Sequence, residues 1–384
     1  MDNFNRWVLI LSSALLVGGS CNMKHELSNR DRALLSDIDR FNVEMSESGW
    51  HISKVVIDSM DLSNIKLNNS SIRHSDWNQV IIKNGKITNT IFEGVIFNEG
   101  VLENTEFNNV QFINCVFNYS KLLDIILTKS SFATCKFQEV EVNSSQFNAI
   151  KFESLSDERS VFDSSVFIDC KIDASSLSHT SFYDGAIRST DFLSSELMEI
   201  RCDGVQINDL RFKRSILNKT VFSEGKIIEM KLLECESEKG FTFADTKISD
   251  ISLIECNKIN FPIVHGTDVN NFSIDKCQIV MKLSLYESNV NNLTINNSKL
   301  WEFQAEDSEI SGRSMIINCV INGLNLASSK ATDFIIKNST IAEYLITQNA
   351  QFENMNLINI NYKRPLDIVD EGVSYTNSNT FPSK

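Results

Sequence analysis

The sequence predicts an all-β repeat protein, a solenoid wound around a uniform apolar interior, on three observations. Stepping by five residues from Ile52 through Ile57, Leu62 and Leu67 to Leu232 visits 37 positions, of which only Asp157 is polar if Cys202 counts as apolar, and 15 are Phe. The residue two places before each is mostly small, as at Ser70, Ser75, Thr90, Thr105, Cys115 and Ser120, with 28 of the 37 being Ser, Thr, Gly, Cys or Val. Third, the chain has 25 Phe against 6 Tyr and 4 Trp, the bias of an interior filled repeatedly by one ring. Helices repeat every 3.6 residues and strands every 2, so a strict five belongs to neither and must be the repeat unit itself.

Composition bounds the function before any motif is read. With 384 residues, 42% of them hydrophobic, the chain is not wholly disordered. Its net charge of −14, from 36 Lys+Arg and 50 Asp+Glu, argues against a nucleic-acid-coating protein and leaves room for a basic partner. No apolar run reaches the roughly 18 residues a membrane span needs, which excludes a polytopic membrane protein.

The N-terminus carries an address. Residues 7–17 (WVLILSSALLV) form a run of signal-peptide length, followed by the small residues Gly18, Gly19 and Ser20. Cys21 directly after them resembles the processing site of bacterial lipoproteins. That resemblance implies removal of residues 1–20, lipidation of Cys21 and, with Asn22 next, sorting to the outer membrane on its periplasmic side. The alternative is a plain secretory signal that leaves a soluble secreted or periplasmic protein. Residues 21–50 then supply a tether and one short helix over Ser28–Asn42. Ser28 with Asp31 makes a capping box, and Leu34, Leu35, Ile38 and Phe41 share one face. Its expected role is to cap the first open edge of the solenoid.

From residue 51 to about 235 the small–polar–large pattern resembles the pentapeptide-repeat family, and a looser version runs to about 362. The resemblance implies a right-handed quadrilateral parallel β-helix with four units per turn. Residues i and i+20 would then stack at the strand spacing of about 4.8 Å. Phe92, Phe112, Phe132 and Phe152 should form one ladder, and Phe97, Phe117 and Phe137 another. Asn64, Asn84 and Asn104, with Asn69, Asn89 and Asn109, should stack at corners in structural roles. Asp157 should bulge outward, because an unpaired buried carboxylate is prohibitive. The regular region, 51–236, ends where the phase slips by one within Ser237–Gly240. Residues 237–362 continue the helix less regularly, with a possible kink near 240. Residues 363–384, with Pro365 and Pro382, read as a tail.

Chemistry is harder to find. The eight cysteines after Cys21 fall on inward positions, no CxxC occurs, and zinc is not expected. Cys115 over Cys135 should be rungs of a buried thiol ladder, with a disulfide between them in an oxidising periplasm the alternative. His74 and His179 fall on corners about five turns apart and cannot share a site. No phosphate-loop, dinucleotide, zinc-protease or serine-hydrolase motif is present, so no catalytic residue, metal or cofactor is expected and the chain does not read as an enzyme.

What remains is surface. Ile81 and Val101 should stack on one outward face, with Ile91, Ile96 and Val116 in neighbouring slots, a candidate protein-binding patch. Lys151, Lys171, Arg211 and Lys231, interrupted by Asp191, form a basic stripe at 20-residue steps. The function this suggests is a rigid envelope scaffold, tied to the membrane by lipid. Its expected partners are proteins of a larger assembly such as a secretion or pilus complex, with nucleic acid not among them. The alternative is an acidic DNA mimic resembling the pentapeptide-repeat proteins that protect gyrase. The 20-residue period leaves the partner's identity and the oligomeric state open.

Overall fold

Each five-residue unit becomes a three-residue strand and a corner. In Ile91–Glu93, Phe92 points inward between two outward neighbours; Gly94 turns the chain at positive φ, and Val95 points inward again. The corner recurs every five residues with φ near 50°, a conformation open to Asn at little cost. Asn64, Asn69, Asn84, Asn89, Asn104 and Asn109 all occupy it. Two of the ladder steps carry amide bonds, with Asn104 Nδ2 donating to Asn84 Oδ1 at 2.7 Å and Asn109 Nδ2 to Asn89 Oδ1 at 2.8 Å.

The computed structural model describes residues 24–260 and 262–362 together with the backbone of 373–376. These units wind into a parallel β-solenoid of about 16 turns with two short helices at its N-terminal end. Four faces follow one another along each turn. The first contains Asp76–Asn78, Ile96–Asn98 and Val116–Asn118, and the second Ile81–Lys83, Val101–Glu103 and Lys121–Leu123. The third contains Lys86–Thr88 and Glu106–Asn108, and the fourth Ile91–Glu93 and Gln111–Ile113. Equivalent residues on successive turns pair in parallel, as Phe97 with Phe117 and Phe92 with Phe112.

The core is the expected set of ladders. Phe92, Phe112, Phe132 and Phe152 stack with centroid spacings of 5.1, 4.7 and 5.1 Å and interplanar angles of 9°, 6° and 9°. Phe97 stacks on Phe117 at 4.6 Å, but Phe117 meets Phe137 edge-on at 73°. The small inward residues have their own task. Ser130 Oγ accepts from Val110 N at 3.0 Å, and Ser145 Oγ from Ile125 N at 3.2 Å, satisfying corner amides that face the interior.

At the N-terminal end the structure corrects the single helix. Two are present, α1 (Asn29–Leu35) and α2 (Ile38–Met45). Ser28 Oγ caps α1 by accepting from Asp31 N at 3.0 Å. Asp37 interrupts the run because its carboxylate caps a new helix, accepting from Arg40 N at 3.1 Å. The capping role holds. Phe41 is fully buried edge-on against Trp50 at 5.3 Å. Asn42 clips the first turn, donating to Asn64 O at 3.0 Å and accepting from Lys66 N at 2.7 Å.

Asp157 is the second correction. It does not bulge out; it faces inward and is buried, paired along the ladder with Phe137 and Leu177. Two hydroxyl donors resolve the cost that argued for the bulge: Ser160 Oγ donates at 2.5 Å, and Thr180 Oγ1 donates to the other oxygen. Burial pushes its pKa up to about 6, so the carboxyl takes a proton as pH falls through that value.

Beyond residue 236 the turn lengthens. Ile216 still bridges Glu236 at the regular step, but Thr220 pairs with Phe241 and Lys226 with Lys247, each partner one place farther along the chain. The added residue lies within Ser237–Gly240. Strands that run through corners begin earlier, with Ala186–Leu193, and continue here, as in Lys247–Ile254 and Lys299–Glu306. The tail contributes a strand, Val373–Thr376, which pairs with Met355–Ile358.

Candidate interaction surface

A filled interior leaves little to do chemistry with. Among the described residues no group of three or more His, Cys, Asp or Glu is arranged to hold a metal. The eight described cysteines are free and buried. Cys115 and Cys135 sit on adjacent turns, each thiol donating to a carbonyl of the preceding turn, Phe92 O at 3.3 Å and Phe112 O at 3.4 Å. Burial pushes the Cys202 thiol up to about 12 and Cys170 up to about 11, the direction that makes them inert. A void of about 30 Å³ lies beside Asp157 among Phe162, Leu177 and Phe182, room for a single water. His179 Nε2 lies 3.1 Å from Glu199 at an exposed corner.

The five apolar candidates are distributed over three faces. Ile81 and Val101 pair on the second face, and Ile96 and Val116 on the adjacent first face. Ile91 stands on the fourth face between Ser71 and Gln111. All five are half-buried. Each two-residue column is bracketed by charge. Asp61 precedes Ile81 and Lys121 follows Val101, while Asp76 precedes Ile96 and Lys136 follows Val116. The apolar area is therefore two turns tall.

The basic column is where the sequence places it, with Lys151 beside Lys171, then Asp191, Arg211 and Lys231 on successive turns. Every cation in it has a carboxylate within its own strand or corner. Lys151 pairs with Glu153 at 2.5 Å, Lys171 with Asp173 at 3.0 Å, Arg211 with Asp209 at 2.7 Å, and Lys231 with Glu229. The stripe is thus locally compensated. Cys21, the expected lipid site, lies outside the described residues.

A more exposed apolar surface lies in the second half. Val280, Met281 and Trp301 are 39, 43 and 56% exposed. The pairing of Gln278–Tyr286 with Lys299–Glu306 slips between Ile279 and Lys282, so Val280 and Met281 together oppose the single Trp301. Such a bulge turns side chains outward that a regular ladder would alternate. A sequence signal for this surface exists: Val280, Met281 and Trp301 are large apolar residues off the five-residue register, beside the slip between Ile279 and Leu285.

Comparison with known proteins adds fold likeness only. No family model matches the chain, and no curated protein matches it. Among solved structures, HetL from the cyanobacterium Nostoc sp., a pentapeptide-repeat protein involved in heterocyst differentiation regulation, is 10% identical. The match covers 52% of this chain and 87% of HetL with a TM-score of 0.30. Full-length QnrB1, a plasmid-mediated fluoroquinolone resistance protein, is 12% identical over 58% of this chain and 94% of its own, with a TM-score of 0.30. An alginate lyase in complex with a trisaccharide is 10% identical over 93% of this chain and 84% of its own, with a TM-score of 0.29.

Proposed function

We propose that this protein is a non-enzymatic scaffold of the bacterial cell envelope. Its β-helical rod would be held to the outer membrane through a lipidated Cys21 and would present its faces to protein partners of a larger assembly, such as a secretion or pilus complex. The observation that carries this reading is the filled interior: ladders of Phe, Ile and Leu occupy the axis, which leaves the outward faces as the place for recognition. Solenoids bind through equivalent positions on successive turns, and the columns Ile81–Val101 and Ile96–Val116 are such positions.

Two variants test it. Cys21→Ala should move the protein from the membrane to the soluble fraction and abolish incorporation of a labelled fatty acid; unchanged fractionation with no label in the wild type rejects the anchor. Ile81→Lys with Val101→Lys should leave melting unchanged while reducing recovery of partners cross-linked in intact envelopes. A second reading, an acidic DNA mimic, is favoured by the charge of −14 on a rod. It requires a cytoplasmic protein, and the same fractionation decides between them.

A further inference from the structure

We propose that the bulged corner around Trp301 docks an acidic polypeptide segment that carries an apolar anchor, an inference that rests on the scaffold reading and names the partner chemistry for one of its surfaces. Two observations converge there. The first is shape: Val280 and Met281 face Trp301 across a register slip, so a contiguous apolar area stands out from an otherwise alternating sheet. An exposed tryptophan ringed by aliphatic side chains is the composition of an anchoring hot spot.

The second is charge. Lys299 lies two residues before Trp301 on the same strand, Lys258 flanks the column from the preceding turns, and Lys282 stands on the other side of the bulge. None of these three takes part in an ion pair among the described residues, whereas Lys83, Lys121 and Lys219 of the regular half each meet a glutamate one turn away. Glu302 stands opposite Lys282 on the neighbouring strand without an ion pair to it, so the lysines keep their charge for a partner.

The partner's class follows from two scales of electrostatics. At short range three free ammonium groups beside an apolar area pair with a few carboxylates. At long range a net charge of −14 repels a dense polyanion such as nucleic acid or an anionic membrane. A polypeptide with a few acidic residues around one apolar side chain satisfies both. The strands here are interior to the sheet, so recognition uses side chains and not strand addition.

The probe is a labelled synthetic peptide alternating Glu with Leu, with matched Gln–Leu and Lys–Leu peptides, titrated against the full chain by fluorescence anisotropy. The Glu peptide should bind, Trp301→Ala should weaken it about tenfold or more, and Lys282→Gln with Lys299→Gln should weaken it and flatten its salt dependence. Trp301 is exposed, so its removal should leave melting unchanged, and Met281→Lys offers a second disruption of the same surface. Equal binding of the Glu and Lys peptides, or indifference to both Trp301→Ala and Met281→Lys, overturns the proposal. So does loss of self-association, or of flotation with anionic vesicles, as the only effect of Trp301→Ala. If envelope partners are lost with the Ile81 and Val101 variants but kept with Trp301→Ala, this site fails while the scaffold reading stands.

Discussion

Before residue 237 several cations on one turn meet an acid on the next: Lys83 with Glu103 at 2.7 Å, Lys121 with Glu141 at 2.8 Å, Lys219 with Glu199 at 2.7 Å. Beyond it only Lys276 with Glu255, and His265 beside Glu287, make such contacts among the described residues. The interiors differ in the opposite sense. The first half stacks Phe on Phe at a constant turn length, while the second uses mainly Ile and Leu and mixes turns of the regular length with turns one residue longer. A constant turn length lets every outward column align with its neighbours, so charges can be matched turn by turn. An inserted residue moves the column, breaks the matching and turns apolar side chains outward. Regularity supplies equivalent positions on successive turns, and irregularity adds a cluster such as Val280, Met281 and Trp301 that no column contains.

The first way to break this comparison is in the cores, where the largest effect is expected. Phe112 is stacked on both sides at 5.1 and 4.7 Å and is buried. Phe112→Ala should cost about 3–5 kcal/mol by denaturant melting, and Ile295→Ala in the second half about 2–5 kcal/mol. Phe112→Asp should prevent the adjacent turns from folding, because that position has no equivalent of the two hydroxyls around Asp157. A near-wild-type melt for Phe112→Asp would mean that the ladder does not hold the first half together.

Much of this was legible because a repeat averages its own noise. One inward Phe says little, but Phe92, Phe112, Phe132 and Phe152 at equal steps fix the turn length and hence every pairing partner. The corner asparagines and the buried cysteines followed from the same step. Single departures were not legible in that way. Asp157 looked forbidden because its donors, Ser160 and Thr180, are three and 23 residues away, and only the wound chain brings both to one carboxyl. The cap looks like one helix in sequence because the face of Leu34, Leu35, Ile38 and Phe41 continues through the break that Asp37 makes. The candidate surface was sought where columns are regular, whereas the most exposed apolar cluster arose from a slip whose geometry no periodic step contains.

Asp157 supplies the intermediate effect and a pH signature confined to the first half. Its pKa is raised from 3.8 to about 6, so the fold favours the protonated form. Stability from this group is present in full below about pH 4 and is lost as pH rises through 6. The difference corresponds to about 3 kcal/mol across that window. Glu158 is the charged neighbour, and its negative charge acts in the same direction. Asp157→Asn should remove the dependence, and Asp157→Leu should raise stability above pH 7 relative to wild type. Melts of equal steepness in pH for wild type and Asp157→Asn would show that another group titrates.

The smallest effect concerns what both halves share, the amide ladders at their corners. Asn104 sits at φ 48° and donates to Asn84 at 2.7 Å, while Asn318 sits at φ 55° and donates to Asn297 at 3.2 Å. Alanine loses one exposed hydrogen bond at Asn104 and two at Asn318, which also accepts from Asn338 at 3.4 Å, and at either site it meets the left-handed backbone without a side-chain partner, about 1 kcal/mol in each case. Glycine at the same positions should recover part of that loss, since it adopts positive φ freely while also lacking the amide. Comparing the Ala and Gly variants of Asn104 and Asn318 by chemical denaturation therefore separates backbone strain from ladder bonding. Similar losses in the two halves are expected, because the corner conformation survives the lengthening of the turn. A loss confined to Asn104 would mean that the second half's corners are held by their strands and not by their amides, and that the irregular half owes its outward geometry to packing alone.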